Sequence, residues 1–255
     1  MTKKVGLALG SGAARGFAHI GVIQVFLENN IPIDVVTGCS MGALIGGLYV
    51  SGVDMYYLQR YAEKFDMRQY YDISMRNGGL IKGRRIEELL RLLTKNTTIE
   101  QGIVPYGCTA VDVCTGEIVE FTKGVMYQAI RASISIPGVF TPYDIDGRLY
   151  IDGGVLERIP LGTARELGAD VVIAVDVAER GQVRPKPKNI IDTMRDTMAI
   201  TDWVLWQQKE KEADLMIIPD VYEIDPLTSK DAAKCMERGR MAAEKLLPEI
   251  KELIQ

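Results

Sequence analysis

Val35-Val36-Thr37-Gly38-Cys39-Ser40-Met41-Gly42-Ala43-Leu44-Ile45-Gly46-Gly47 reads as a short β-branched strand, an abrupt turn with a serine at its tip, and a helix of small and apolar residues. Gly38-x-Ser40-x-Gly42 has the spacing of a nucleophile elbow, in which the serine is thrust out at a strand's carboxyl end and close packing leaves no room for flanking side chains. The helix that follows aims its unpaired N–H groups at the same spot, which favours negative charge developing there. Two glycines around a serine recur by chance in a chain with 25 glycines, so the strand before and the helix after carry the reading.

Upstream, residues 5–9 (VGLAL) form the apolar run of a buried parallel strand, and Gly10-Ser11-Gly12-Ala13-Ala14-Arg15-Gly16 turns it into a helix reaching about Asn29. Residues 33–37 make the next strand, and the elbow helix closes near Ser51-Gly52. Strand, helix, strand, helix is a βαβ unit and implies a parallel sheet. Downstream, Asp54 caps a helix to about Phe65, and 70–83 is irregular and placed to line a cleft entrance. Helical spacing follows at 84–93, strands at 104–113 and 117–122, a helix at 125–133, and strands at 148–151 and 171–175. Residues 180–188, with Pro185 and Pro187, form a linker. Beyond it lie a long helix at 192–213, a short strand at 215–218 and a helix pair at 230–253 broken near Pro248.

With 255 residues, one α/β domain accommodates the whole chain. A hydrophobic fraction of 47% and a charged fraction of 25% match an ordinary globular protein. The net charge of −4 and the scattered cations argue against nucleic acid as a partner. Cys39, Cys108, Cys114 and Cys235 form no C-x-x-C pair, which fits a reducing, cytoplasmic setting. No run reaches the 18 apolar residues of a spanning helix, so contact with a membrane would be peripheral. Oligomeric state stays open.

An elbow serine needs a base and donors for an oxyanion. The small residues of the 10–16 turn leave backbone N–H groups free, and such turns gather at the carboxyl ends of parallel strands. A dinucleotide fingerprint starting at Gly10 would need glycine where Arg15 stands. The chain has one histidine, His19, so a Ser-His-Asp triad would have to use it, yet it precedes the serine, opposite to the α/β-hydrolase order. A carboxylate alternative is Asp152 in Asp152-Gly153-Gly154, where two glycines turn the chain after a strand. Asp144-x-Asp146-Gly147 lacks the remaining ligands of a calcium loop, and the composition points to no metal site.

The 10–16 loop, Gly38-Cys39-Ser40-Met41-Gly42 and Asp152-Gly153-Gly154 together resemble the patatin-like phospholipases, as do Ala132-Ser133-Ile134-Ser135-Ile136-Pro137-Gly138 and Val171 to Asp176. The resemblance covers about residues 4–177 and implies a three-layer α/β fold with a mostly parallel sheet flanked by helices. The region from about 189 to 255 reads as a helical C-terminal extension. The resemblance further implies a serine–aspartate dyad acting on lipid acyl esters (phospholipid, lysophospholipid or similar) without a cofactor. Ser40 would be the nucleophile, Asp152 the base, and Ser11, Gly12 and Ala13 with Arg15 the oxyanion loop, while Gly38, Gly42, Gly153 and Gly154 keep the turns tight. Where the family usually has glycines, this chain has Ser11 and Ala13. Two alternatives are a triad esterase using His19 and a non-catalytic regulatory module on the same fold.

In the long helix, Ile190, Ile191, Met194, Met198, Val204 and Leu205 fall on one stripe, with Trp203 and Trp206 well away from its centre. The stripe is expected to pack on the domain, leaving the tryptophans for a second partner, either a second buried face, another protein surface or a lipid interface.

Overall fold

Alternation along the central strands buries small residues on one side of a sheet and large ones on the other. In the computed structural model, which describes residues 3–70, 72, 79–178, 180–182 and 186–255, the first strand is β1 (Val5–Leu9). Val5, Leu7 and Leu9 point into the larger core, and Ala8 into a second one behind the sheet. The parallel neighbours β2 (Val35–Cys39) and β9 (Val171–Val175) divide likewise: Val36, Ile173 and Val175 face the first core, and Val35, Val172 and Ala174 the second. Strands buried on both faces are continuous apolar runs, which is why these three were readable in the sequence.

The remaining elements, in chain order, are α1 (Ala18–Glu28), α2 (Met41–Val50), α3 (Met55–Ala62), β3 (Gly79–Ile81), α4 (Arg84–Leu93), β4 (Tyr106–Asp112), β5 (Ile118–Phe121) and α5 (Met126–Ser133). They continue with β6 (Gly138–Phe140), β7 (Tyr143–Ile145), β8 (Arg148–Asp152), α6 (Leu161–Glu166), α7 (Ile190–Lys209), β10 (Leu215–Ile217), α8 (Ala232–Lys245) and α9 (Leu247–Leu253). The main sheet has the order β10-β9-β1-β2-β4-β8-β7 with β5 also on β4. Its first five members are parallel, and β5, β7 and β8 are antiparallel additions. Helices α1, α2 and α8 cover one face and α6 with part of α7 the other, giving three layers. The pair β3 and β6 forms a separate small sheet.

Cys108 and Thr109 of β4 pair with both β2 and β5, and Ala110 and Val111 pair with both β5 and β8. A strand has two edges, so β2 and β8 must share one edge of β4, approaching each other head-on. Strand β2 ends with Cys39 opposite Thr109, and β8 ends with Asp152 opposite Ala110. The residues that follow or close these strands, Ser40 and Asp152, are thereby brought together from 112 positions apart.

The stretch that reads as a helical extension is built into the same body. Strand β10 pairs with β9, and α8 lies so close to α1 that a Cβ on Gly239 would sit 2.0 Å from the Ala18 carbonyl oxygen. The orientation expected for α7 holds only in part: Met198 and Leu205 of the stripe are half-buried against the domain, but the most deeply buried residue is a tryptophan. Trp206 is 3% exposed in the second core with Ile159 and Leu161, whereas Ile190 is 72% exposed and Met194 and Val204 also face out. Trp203 and Trp206 flank the buried guanidinium of Arg158, 5.8 and 5.4 Å from the ring centres, which supplies the partner the tryptophans require. Ile191's side chain, like residues 71 and 73–78 of the irregular stretch, lies outside the described ones.

Candidate active site

Ser40 sits between β2 and α2 with φ 54° and ψ −118°, a conformation costly for a residue with a side chain and the expected geometry of an elbow. The flanking glycines are sterically required. A Cβ on Gly42 would lie 2.1 Å from the Leu9 carbonyl oxygen, and one on Gly38 would lie 2.4 Å from the Gly42 carbonyl. The chain therefore turns here with no room for a side chain at 38 or 42, and the serine alone projects. Its N–H donates to Ser133 Oγ at 2.9 Å, which fixes the turn from the end of α5.

Ser40 Oγ donates to Asp152 Oδ2 at 2.5 Å. The other carboxylate oxygen accepts from the N–H of Gly154 at 2.8 Å and faces the Cys39 thiol at 3.8 Å. Gly153 is what lets the chain leave β8 so closely, since a Cβ there would meet the Thr109 carbonyl oxygen at 2.5 Å. Burial pushes the Asp152 carboxyl up to about 6, against the lowering pull of the Ser40, Gly154 and Cys39 hydrogen bonds. Burial and the negative charge of Asp152 push the Cys39 thiol well up, so it stays protonated and donates.

The 10–16 loop leaves β1 beside the elbow, because Leu9 is in register with Gly38. Its backbone groups are used selectively. Gly10 N–H donates to Val175, Ser11 N–H to the Arg158 carbonyl at 2.8 Å, and Ala14 N–H to the Pro226 carbonyl at 3.1 Å. Gly12 and Ala13 N–H have no hydrogen-bond partner among the described residues. Gly12 is pressed against Val177, where a Cβ would lie 2.6 Å from Cγ2, and Ala13 adopts φ 49°. A left-handed alanine costs about 1–2 kcal/mol relative to glycine, so this loop keeps its shape at some expense. The Arg15 side chain, which lines the same cavity as Ser40, donates through Nε to Ile224 O at 2.8 Å and through Nη2 to Tyr222 O at 2.5 Å, fastening the 222–226 segment onto the loop.

His19 lies fully buried on α1 with Nε2 donating to the Gly10 carbonyl at 2.8 Å. Burial lowers its pKa to about 4, so it is neutral near pH 7. The Gly10–Ser11 peptide is thus pinned by its oxygen to His19 and by its nitrogen to Arg158. Arg158 itself is ion-paired to the buried Asp176 and, at 3.3 Å, to Asp202 of α7. Ser133, Cys39 and Arg158 were not singled out from sequence for any role. The first two lay inside quoted motifs, but Arg158 carried no local signal, since its partners are 18 and 44 residues away.

Two cavities meet at Ser40. One is apolar and runs from Ala13 and Phe17 past Leu44 and Leu48 to Leu58, Leu90 and Phe65. The other, more polar, is bounded by Gly12, Asp152, Gly154 and, from α7, Arg195, Met198 and Asp202. Among the described residues no group of three or more His, Cys, Asp or Glu is placed to hold a metal ion, and no helix is long and apolar enough to cross a membrane.

The family model for patatin-like phospholipases matches residues 7–165. The chain belongs to the patatin-like phospholipase family. An uncharacterized NTE family protein of Mycobacterium tuberculosis is 39% identical over 193 residues, covering 73% of this chain and 53% of that protein. A lysophospholipase of Neurospora crassa is 33% identical over 190 residues, covering 72% of this chain and 12% of its own length. The chain thus spans about half of the mycobacterial relative and a small part of the fungal one. VipD from Legionella pneumophila has a similar fold (TM-score 0.56, 12% identity, 97% of this chain and 67% of that one). So does ExoU of Pseudomonas aeruginosa, in complex with SpcU (TM-score 0.57, 14% identity, 98% and 52%). At these identities the two structures speak for the fold alone.

Proposed function

We propose that this patatin-like chain is a serine hydrolase of lipid acyl esters. The observation that carries the reading is the 2.5 Å Ser40–Asp152 hydrogen bond at the junction of an apolar and a more polar cavity. Ser40 Oγ attacks the ester carbonyl while Asp152 takes its proton. The oxyanion is received by the N–H groups of Gly12 and Ala13 and by the field of α2's N-terminus. Of the residues expected in the hole, Ser11 and Arg15 act as supports, since the Ser11 amide and the Arg15 guanidinium are engaged elsewhere. Protonated Asp152 then gives its proton to the departing alkoxide, and an acyl-enzyme remains. Water, deprotonated by Asp152, attacks the acyl carbonyl, and the collapsing intermediate returns Ser40 Oγ to its hydroxyl with release of the acid. The apolar cavity suits the acyl chain, and the cavity edged by Arg195 and Asp202 suits the leaving alcohol. The lysophospholipase name of the fungal relative is consistent with this division.

A fluorophosphonate probe tests the reading directly: it should label Ser40, and an unlabelled, folded protein would favour the regulatory-module alternative. The base is identified by pH. Asp152 must be ionised to accept a proton, so kcat/KM should rise with pH through about 6, the carboxyl's raised value. His19→Asn should preserve that acid limb and most of the activity, because the imidazole donates to Gly10 and makes no hydrogen bond to Ser40. A folded His19→Asn protein as inactive as Ser40→Ala would replace the dyad by the triad.

A further inference from the structure

Residues 55–95 carry nine Lys and Arg against five Asp and Glu, in a chain whose net charge is −4. Five of its 11 tyrosines fall between 56 and 71. On α3 and the turn after it, Tyr57, Arg60, Tyr61 and Lys64 follow one another at helical spacing and line one side of a surface groove completed by Phe65, Asp66, Gln69 and Tyr70. The aromatic part is tied together by direct contacts. Phe65 and Tyr70 stack at 5.0 Å, and the hydroxyls of Tyr61 and Tyr70 are 2.8 Å apart. Arg85 of α4 reaches across to the Gln69 carbonyl at 3.0 Å, adding its charge to the rim beside the exposed Lys82 and Arg84. The Asp72 carboxylate is spent on the N–H groups of Gly83 and Arg84 and Glu87 pairs with Arg91, Glu63 accepts from Gln59, and Asp66 and the exposed Glu88 are outnumbered by the cations around them.

Tyr61 and Phe65 line both this groove and the apolar cavity that begins at Ser40. A surface engaged by the groove would therefore stand against the wall of the acyl cavity. The exposed Tyr57 and the half-buried Tyr61 and Tyr70 are suited to the headgroup depth of a bilayer, and the surrounding cations to its negative potential. We propose that this tyrosine- and cation-rich face, centred on α3 and the start of α4, docks the protein on anionic lipid bilayers. The proposal builds on the lipid-hydrolase reading but makes a separate demand, that binding depend on Arg60 and Lys64 even when no hydrolysis takes place.

The experiment is co-sedimentation of Ser40→Ala protein with phosphatidylglycerol-containing and pure phosphatidylcholine vesicles, with and without the pair Arg60→Gln and Lys64→Gln. The parent should bind the anionic vesicles, more weakly as salt is raised, and bind the zwitterionic ones poorly. Each charge removed should weaken anionic binding about fivefold, and the pair roughly 20–30-fold. In the enzyme that keeps its Ser40 hydroxyl, Arg60→Gln and Lys64→Gln should leave hydrolysis of a soluble short-chain ester unchanged, since neither residue touches the dyad. No binding to anionic vesicles, equal binding to both vesicle types, or binding indifferent to the double substitution would each overturn the docking face. Charge-dependent binding by a protein that hydrolyses no ester would keep the face and remove the hydrolase reading.

Discussion

Ser40→Ala should lower ester hydrolysis by at least about 10⁴-fold while leaving the fold intact. The elbow is held by Gly38 and Gly42 meeting the backbone of their neighbours and by the Ser40 N–H donating to Ser133, none of which involves the hydroxyl. The alanine protein should melt cooperatively within a few degrees of the parent, and its Asp152, deprived of one hydrogen bond that stabilises the ionised form, should titrate still higher. Because nucleophile and base act as one unit, adding a change at Asp152 should cost little more activity. Substantial turnover by a purified Ser40→Ala protein would refute the mechanism.

Asp152→Asn should be nearly as inactive and, unusually for a catalytic substitution, more stable at neutral pH. A carboxyl raised from 3.8 to about 6 is one whose charge the fold disfavours, and the difference amounts to about 3 kcal/mol. The sign follows from linkage. Below the unfolded value both states are protonated and no penalty applies, whereas above about 6 the folded protein holds an ion that the unfolded chain would hold at lower cost. The parent should therefore lose stability as pH rises from about 4 to 6, and the asparagine variant should lack that loss. At pH 8 the variant should melt roughly 5–10 °C higher, and the two curves should converge near pH 4. An asparagine protein less stable than the parent at pH 8 by the same margin as at pH 4 would mean that Asp152 is not held as a strained ion. A catalytic group kept against its solvation preference is the usual form of conflict between activity and stability.

Much of the architecture was legible because it is local. Val5–Leu9 and Val171–Val175 are apolar without alternation, as only a strand covered on both faces can be, and the parallel sheet followed. The helix over 84–93 was legible from its strong one-sided pattern, and the cap at Asp54 from residue type, its carboxylate accepting from Tyr57 N–H at 2.7 Å. The three-residue strands β3, β6 and β7 were not, since three residues are too few to show a period of two; β10, equally short, was legible because its apolar run is unbroken from Leu215 to Ile218.

For the site, sequence alone determined the turns: glycines at 38, 42, 153 and 154 around a serine and an aspartate announce where the backbone bends sharply and a functional group is left standing. Tertiary structure decided what meets there. Ser40 and Asp152 come together only because β2 and β8 share one edge of β4, a pairing that no spacing encodes. Likewise, Gly12 and Ala13 rather than Ser11 keep open amides because Arg158, anchored to Asp176 and Asp202, presents its carbonyl to Ser11. Helix α7 makes the contrast plainest. It is apolar on more than one side, so its periodicity could not choose a face. The tryptophan side turns inward, where Trp203 and Trp206 flank the buried Arg158 guanidinium and Asp202 adds a second carboxylate to that of Asp176.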